Sequence, residues 1–380
     1  MDRTLSTIAT RAGIPALLFF LSALALASLA WGIRPALRDS DDLMRRAEEV
    51  SLFVRGLDPY DDPDMTYPPS APPVFTPLIA PFPPAILRAA WLGLNLLALG
   101  SVIALAIRTW GDAWPGWLRA AVGLSIVAMK PVRGGIALGQ FHLIPLVLGI
   151  LAVGLARKRP VLAGVCLGIA LIKPTMVLPL ACLAMARGWW KVLIAASLVQ
   201  AAAWLFTSAW LHIDPITLGR EWVTLARLQD DAGVIDLPSL IRRNWPDSAR
   251  LSGPLSIGLL GLFATAFVAL RERSDRPSGA GLLGPISHIT GVRPGVADPA
   301  FAWFAARGWK RVGWETAAAV GIALLLIWPS HPSITGRFEA VYERAFPPLA
   351  YLALFGLIAS IRGETARPDH SSAASGDLGR

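Results

Sequence analysis

Apolar and polar positions along this chain alternate in long blocks rather than at the period of a soluble helix or strand. Apolar runs cover 14–32, 84–107, 117–129, 141–156, 160–186, 192–211, 253–270, 316–328 and 347–360. Several reach the roughly 20 residues that a helix needs to cross a bilayer. The pattern predicts an all-α polytopic membrane protein with roughly ten transmembrane segments. The first long polar block, 34–83, follows the first span at once and holds Asp39, Asp41, Asp42, Glu48, Glu49, Asp58, Asp61, Asp62 and Asp64.

Basic residues set the expected orientation. Arg3 and Arg11 precede the first run, and Arg157, Lys158 and Arg159 fill a short link, so both are expected in the cytoplasm. The acid-rich block 34–83 then becomes an outer loop, facing the periplasm or cell exterior. The run 160–186 is interrupted by Lys173-Pro174 and reads either as one kinked span or as two half-spans. Two half-spans, or a helix broken where its backbone lines a cavity, keep Arg187, Lys191, Arg271, Arg273, Arg276, Arg307, Lys310 and Arg311 on the cytoplasmic side. The expected organisation is one transmembrane domain over 1–361, with a second outer loop at 212–251, a cytoplasmic connection at 271–313 and a disordered tail at 362–380.

Composition agrees with this picture. The chain of 380 residues is 54% hydrophobic and 16% charged, against about 25% charged in soluble domains, and its mean hydropathy is +0.53. A net charge of +9 points to nucleic acid only when clustered on a soluble surface. Here the basic residues sit in links between spans, so topology accounts for them and no nucleic-acid partner is expected. Trp110, Trp114, Trp117, Trp189 and Trp190 mark the ends of apolar runs, as an interfacial belt does. Cys166 and Cys182 lie in apolar segments and read as packing residues. The histidines lack metal-ligand spacing, and HExxH, CxxC and P-loop patterns are absent, so neither a metal site nor a cofactor is expected.

Some polar residues stand out against this background. Asp39 and Asp42 are three apart and would share one face of a helix at the membrane surface. They read as a carboxylate base with a second carboxylate, or as the solvated start of a helix. Lys173, inside an apolar run, costs about 2.5–3.5 kcal/mol to insert. It reads as a cation for a phosphate leaving group, or as a lysine that snorkels to the interface. Gln140 and His142 open the fourth run, Arg133 precedes them, and His331 ends a late one. All four suit hydroxyl or phosphate binding, and all four suit helix ends equally well. Tyr60 and Tyr67 lie in a proline-rich stretch fit for an interface or for an ordinary loop.

Taken in order, these pieces resemble bacterial glycosyltransferase family 87. The resemblance is carried by Asp42-Leu after the first span, with Gly56-Leu-Asp-Pro-Tyr60 and Tyr67-Pro-Pro69 following. Gly139-Gln140-Phe-His142-Leu opens a later span, and Ala163-Gly-Val-Cys-Leu-Gly-Ile-Ala-Leu-Ile-Lys173-Pro174 follows a basic link. A weaker element is Asp236-Leu-Pro-Ser-Leu-Ile-Arg-Arg243. Two positions depart from the family pattern: Phe-His follows Gly-Gln where Asn is usual, and Arg45 and Arg46 stand where an aromatic is common.

The resemblance implies a GT-C-type helical bundle in the bacterial plasma membrane. It implies an inverting transfer of a sugar, mannose being the expected one, from a polyprenyl-phosphate donor to a glycolipid or glycan acceptor, without metal or nucleotide sugar. Asp42 would be the base, Asp39 its neighbouring carboxylate, Lys173 the lysine of the Lys-Pro pair and His331 the late histidine. The rival class is a transporter or flippase of lipid-linked sugars or small molecules. It also explains an intramembrane lysine in a broken helix, but not paired carboxylates in a large outer loop.

Overall fold

A computed structural model describes residues 3–62, 65, 67–110, 116–128 and 130–228, all within one compact unit, Met1–Arg307. Among them every regular element is helical. The later apolar runs, the 271–313 connection, the tail, the Asp236–Arg243 motif and His331 lie outside the described residues.

The first helix, α1 (Arg3–Arg38), carries the first apolar run and two prolines, Pro15 and Pro35. It stops at Asp39-Ser40, where Ser40 takes a left-handed backbone (φ 45°) that a helix cannot continue. The next helix, α2 (Asp41–Val54), restarts with Asp41 and Asp42 in its first turn, where the helix dipole favours acids. Its buried positions Leu43, Arg46, Glu49, Val50 and Phe53 recur at helical spacing, so α2 is amphipathic. It ends at Gly56, whose φ of 72° lets the Gly56 and Leu57 amides bond back to the Phe53 and Leu52 carbonyls.

After a short 3-10 turn (Pro59–Asp61) come α3 (Pro72–Ile79), α4 (Pro84–Trp110), α5 (Gly116–Ala128), α6 (Lys130–Leu138) and α7 (Leu143–Leu155). The remaining helices are α8 (Pro160–Ala170), α9 (Pro174–Ala186), α10 (Trp190–Leu211) and α11 (Pro215–Leu228).

Among the described residues three segments are long and apolar enough to cross a membrane: Gly13–Val54, Pro84–Leu105 and Trp190–Leu211. The first joins α1 and α2, and its apolar part is α1. A fourth arises if Arg119–Ala128 and Val132–Leu138, bent by 45°, count as one broken span. At the expected spans 117–129 and 141–156 the helices α5 and α7 have 13 residues each. A helix of 13 residues such as α7 reaches about 20 Å, short of a hydrocarbon core of about 30 Å. The outward faces of α1 and α10 bear Phe19, Phe20, Leu26, Ile194, Leu198, Leu205 and Phe206, all exposed, as lipid-facing helices require.

The break at Lys173-Pro174 is real. Helix α8 ends at Ala170 and α9 begins at Pro174, which has no amide hydrogen to carry the ladder onward. Helices α8 and α10 form the most extensive pair among the described elements. They meet through Gly164 and Gly168, whose missing side chains admit Val192, Ala195, Ala196 and Val199 of α10. On the other side of the unit, α1 packs on α5 and α6, with the Ser28 hydroxyl donating to the Ala128 carbonyl at 3.3 Å.

Two aromatic-rich cores hold the acid-rich segment after α1 to this scaffold. One joins Leu43 and Val50 of α2, Ala71 and Phe75, Leu87 and Trp91 of α4, Phe141 and Ile172. The other joins Phe53, Tyr60, Met65, Leu211 and Leu218. Helices α3 and α11 were not expected, since 34–83 and 212–251 read as loops. In α3 the first two prolines occupy the initial turn, where no amide donor is needed.

Candidate active site

Each main candidate residue sits next to a residue of the first core. Leu43 follows Asp42, Phe141 separates Gln140 from His142, and Ile172 precedes Lys173, and all three are buried in that one cluster. Three segments far apart in sequence are thereby fixed against one another. An aromatic ladder extends through the cluster. Tyr67 packs edge-on against Phe75 at 5.1 Å, Phe75 edge-on against Phe141 at 5.0 Å, and Phe141 lies 5.7 Å from Trp91.

The Gly139-Gln140 pair has a local structural reason. Gly139 (φ 69°) ends α6, its amide bonding to the Ile136 carbonyl and the Gln140 amide to the Gly135 carbonyl. Gly139 also faces Leu43 so closely that an added Cβ would lie 2.7 Å from the Leu43 Cβ. Its carbonyl accepts from the Trp91 indole at 2.8 Å. Trp91→Phe keeps an aromatic side chain but leaves that buried carbonyl unpaired. The expected loss is about 1–2 kcal/mol, read by denaturant titration of the purified protein.

Asp42 is half-buried in the first turn of α2. One and two turns further on, the same face presents Arg46 and Glu49, exposed by only 7% and 3%. These two are ion-paired. The Arg46 guanidinium lies 4.9 Å from the centre of the Tyr67 ring and 3.7 Å from the Met65 sulfur. Lys173 feels the opposite charge of Asp42 and the like charge of Arg46. Asp42, Arg46, Glu49, Tyr67 and Lys173 thus form one electrostatic group.

His142 joins it from α7. It is fully buried, its ring packs directly over Gly135, and it feels the Lys173 charge. Neither ring nitrogen meets a hydrogen-bond partner in good geometry among the described residues. Tyr67 and Tyr60 complete the loop side. The Tyr60 hydroxyl donates to the Tyr67 carbonyl at 2.9 Å, and the Tyr60 amide donates to the Asp58 carboxylate, also at 2.9 Å. Burial pushes both phenols up from their ordinary value, so both remain neutral hydrogen-bond donors. Burial also raises the Asp58 carboxyl, against the Tyr60 amide that lowers it.

Two candidates sit elsewhere. Asp39 is exposed and lies beyond the end of α1, separated from α2 by the left-handed Ser40, so it does not share a helical face with Asp42. Arg133 stacks over Trp31 at 5.3 Å, on the α1 side of α6. Gln140 is half-buried beside the cluster. Arg46 and Glu49 escaped the sequence reading, although the spacing of buried positions along α2 puts them on the inward face.

The model of glycosyltransferase family 87 matches residues 65–246. That stretch contains Tyr67, Arg133, Gln140, His142 and Lys173; Asp39, Asp42 and Tyr60 precede it. No curated protein and no solved structure matches the chain. The family that the Gly-Gln and Lys-Pro motifs resemble is therefore also the one whose model matches this part of the chain, glycosyltransferase family 87, and the described residues carry apolar helices long enough to cross a membrane.

Proposed function

We propose that this protein moves a sugar, mannose being the expected one, from a polyprenyl-phosphate donor to a glycolipid or glycan acceptor at the outer face of the bacterial plasma membrane. The observation that supports the reading is the shared core of Leu43, Phe141 and Ile172, whose neighbours along the chain are Asp42, Gln140, His142 and Lys173. A base and a cation for the leaving group are what a single inverting displacement needs. Asp42 takes the proton of the acceptor hydroxyl, and that oxygen attacks the anomeric carbon. The bond from the anomeric carbon to the phosphate oxygen breaks. Its electron pair leaves with polyprenyl phosphate, whose added charge Lys173 stabilises.

In this reading 34–83 and 212–251 face outward, the N-terminus and 271–313 face the cytoplasm, and one GT-C-type domain of roughly ten spans extends to residue 361. Tyr60, Tyr67, Gln140 and His142 bind substrate hydroxyls or phosphate. His331 has the same role at the outer end of a late span. Arg133, turned to Trp31, contributes from the edge.

The test uses nanodiscs containing the protein, polyprenyl-phosphate carrying radiolabelled mannose, and a lipid extract of the host. Label is expected to reach a new lipid with wild type. Lys173→Met is expected to slow that transfer about 10²- to 10³-fold, the cost of removing one preorganised charge from a reacting group. The broken helix at Lys173 also suits a lipid-linked-sugar flippase. Label that only changes leaflet, with no new lipid formed, would replace the transferase reading with that one.

A further inference from the structure

Helix α10 is an apolar span with one amide near its middle, Gln200. A polar side chain there is costly unless its groups are paired, and both ends of this one are. Its Nε2 donates to the Gly168 carbonyl of α8 at 2.6 Å, and its Oε1 accepts from the Ser70 hydroxyl at 2.6 Å. A carbonyl only accepts, so the bond to Gly168 fixes which way the amide points.

Both partners lie next to the candidate site. Gly168 belongs to the last turn of α8, the turn that leads into Lys173. That turn is tightened: the Leu171, Ile172 and Lys173 amides bond three residues back, to Gly168, Ile169 and Ala170. Gln200 supplies the Gly168 carbonyl with a second donor. Ser70, fully buried, ends the segment that begins at Tyr67. Two turns along α10, on the same face, the Thr207 hydroxyl donates to the Pro69 carbonyl at 2.6 Å. The Trp210 indole then donates to the Phe53 carbonyl at the end of α2, at 2.7 Å.

We propose that Gln200 is a positioning residue: its single amide holds the Tyr67–Ser70 segment and the Lys173 turn in one register. The role it serves, aligning the acceptor-side loop with the leaving-group lysine, rests on the transferase reading above. The link itself stands apart from that reading.

Hydrogen exchange in nanodiscs tests the link without any substrate. Gln200→Leu keeps the volume and removes both bonds, so amides at 67, 70 and 71 and at 171–173 are expected to exchange about tenfold faster together. Ser70→Ala removes the loop bond alone, so it is expected to speed 67–71 and leave 171–173 near wild type. Acceleration of only one segment by Gln200→Leu, or of neither, overturns the proposal. If Gln200→Leu does not fold, Ser70→Ala decides: unchanged exchange at 67–71 overturns it.

The positioning role is read with the mannosyl polyprenyl-phosphate probe. Gln200→Leu is expected to lower kcat at least tenfold with donor KM within threefold of wild type. A change confined to KM, or a kcat loss no larger than that of an equally destabilised variant elsewhere, overturns it. A wild type that transfers no label refutes the transferase reading instead, and the exchange data still decide the link.

Discussion

Asp42→Asn is expected to lower the rate of sugar transfer about 10²- to 10⁴-fold, with the protein melting as wild type does. A positioned general base contributes about 10²- to 10⁴-fold, and the amide cannot take the acceptor proton. The substitution preserves shape, and Asp42 is only half-buried, so little stability is at stake. Asp41→Asn is the matched control. Asp41 is exposed in the same first turn, so the dipole effect is shared and transfer should continue. The measurement is single-turnover transfer of the radiolabelled donor, with a thermal melt of each variant. A rate near wild type for Asp42→Asn would move the search to Glu49, the buried carboxylate two turns along the same face.

The largest effect on the fold is expected from valine at Gly164 and Gly168 together. A Cβ at Gly168 would sit 2.7 Å from the Val199 Cβ and 3.0 Å from the Ala196 carbonyl, and one at Gly164 would sit 2.6 Å from the Val192 carbonyl. Main chain cannot rotate away as a side chain can, so α8 and α10 must separate. Overpacking of this kind costs about 1–3 kcal/mol per site. Because α8·α10 is the most extensive helix pair described, Gly164→Val with Gly168→Val should abolish the folded state. Gly154→Ala is the contrast: no atom lies within 4 Å of its added Cβ, and it should leave the melt unchanged or raise it slightly. Fluorescence-detected size exclusion after a heating series distinguishes the three. A melt for Gly168→Val within the scatter of Gly154→Ala would show that the two helices are not in tight contact.

What the sequence discloses here follows from what kind of force acts. Helices α1, α4 and α10 are legible because hydrocarbon length is a property of one segment alone. The break at Lys173 is legible because a proline without an amide hydrogen acts locally. The start of α2 is legible for the same reason, since Asp41 and Asp42 suit its dipole. Helix α3 is hidden inside a stretch that reads as loop, because proline favours a helix only in its first turn. Helix α11 gains its place from Leu218 packing against Phe53 and Tyr60, residues far away in sequence. Asp39 and Asp42 have the spacing of a shared face, and only the left-handed Ser40 between them separates the two. The pairing of Arg133 with Trp31 and that of Gln200 with Ser70 and Gly168 are likewise tertiary, and no local pattern announces them.

Of the bonds that α10 sends out from Gln200, Thr207 and Trp210, those to Gly168, Pro69 and Phe53 all end on main-chain carbonyls. A carbonyl is present whatever side chain stands at its position. The side chains of this segment can therefore change while its main chain stays where it is. Substitution of the exposed Leu57 or Asp61 is then expected to leave the hold of α10 on the segment intact.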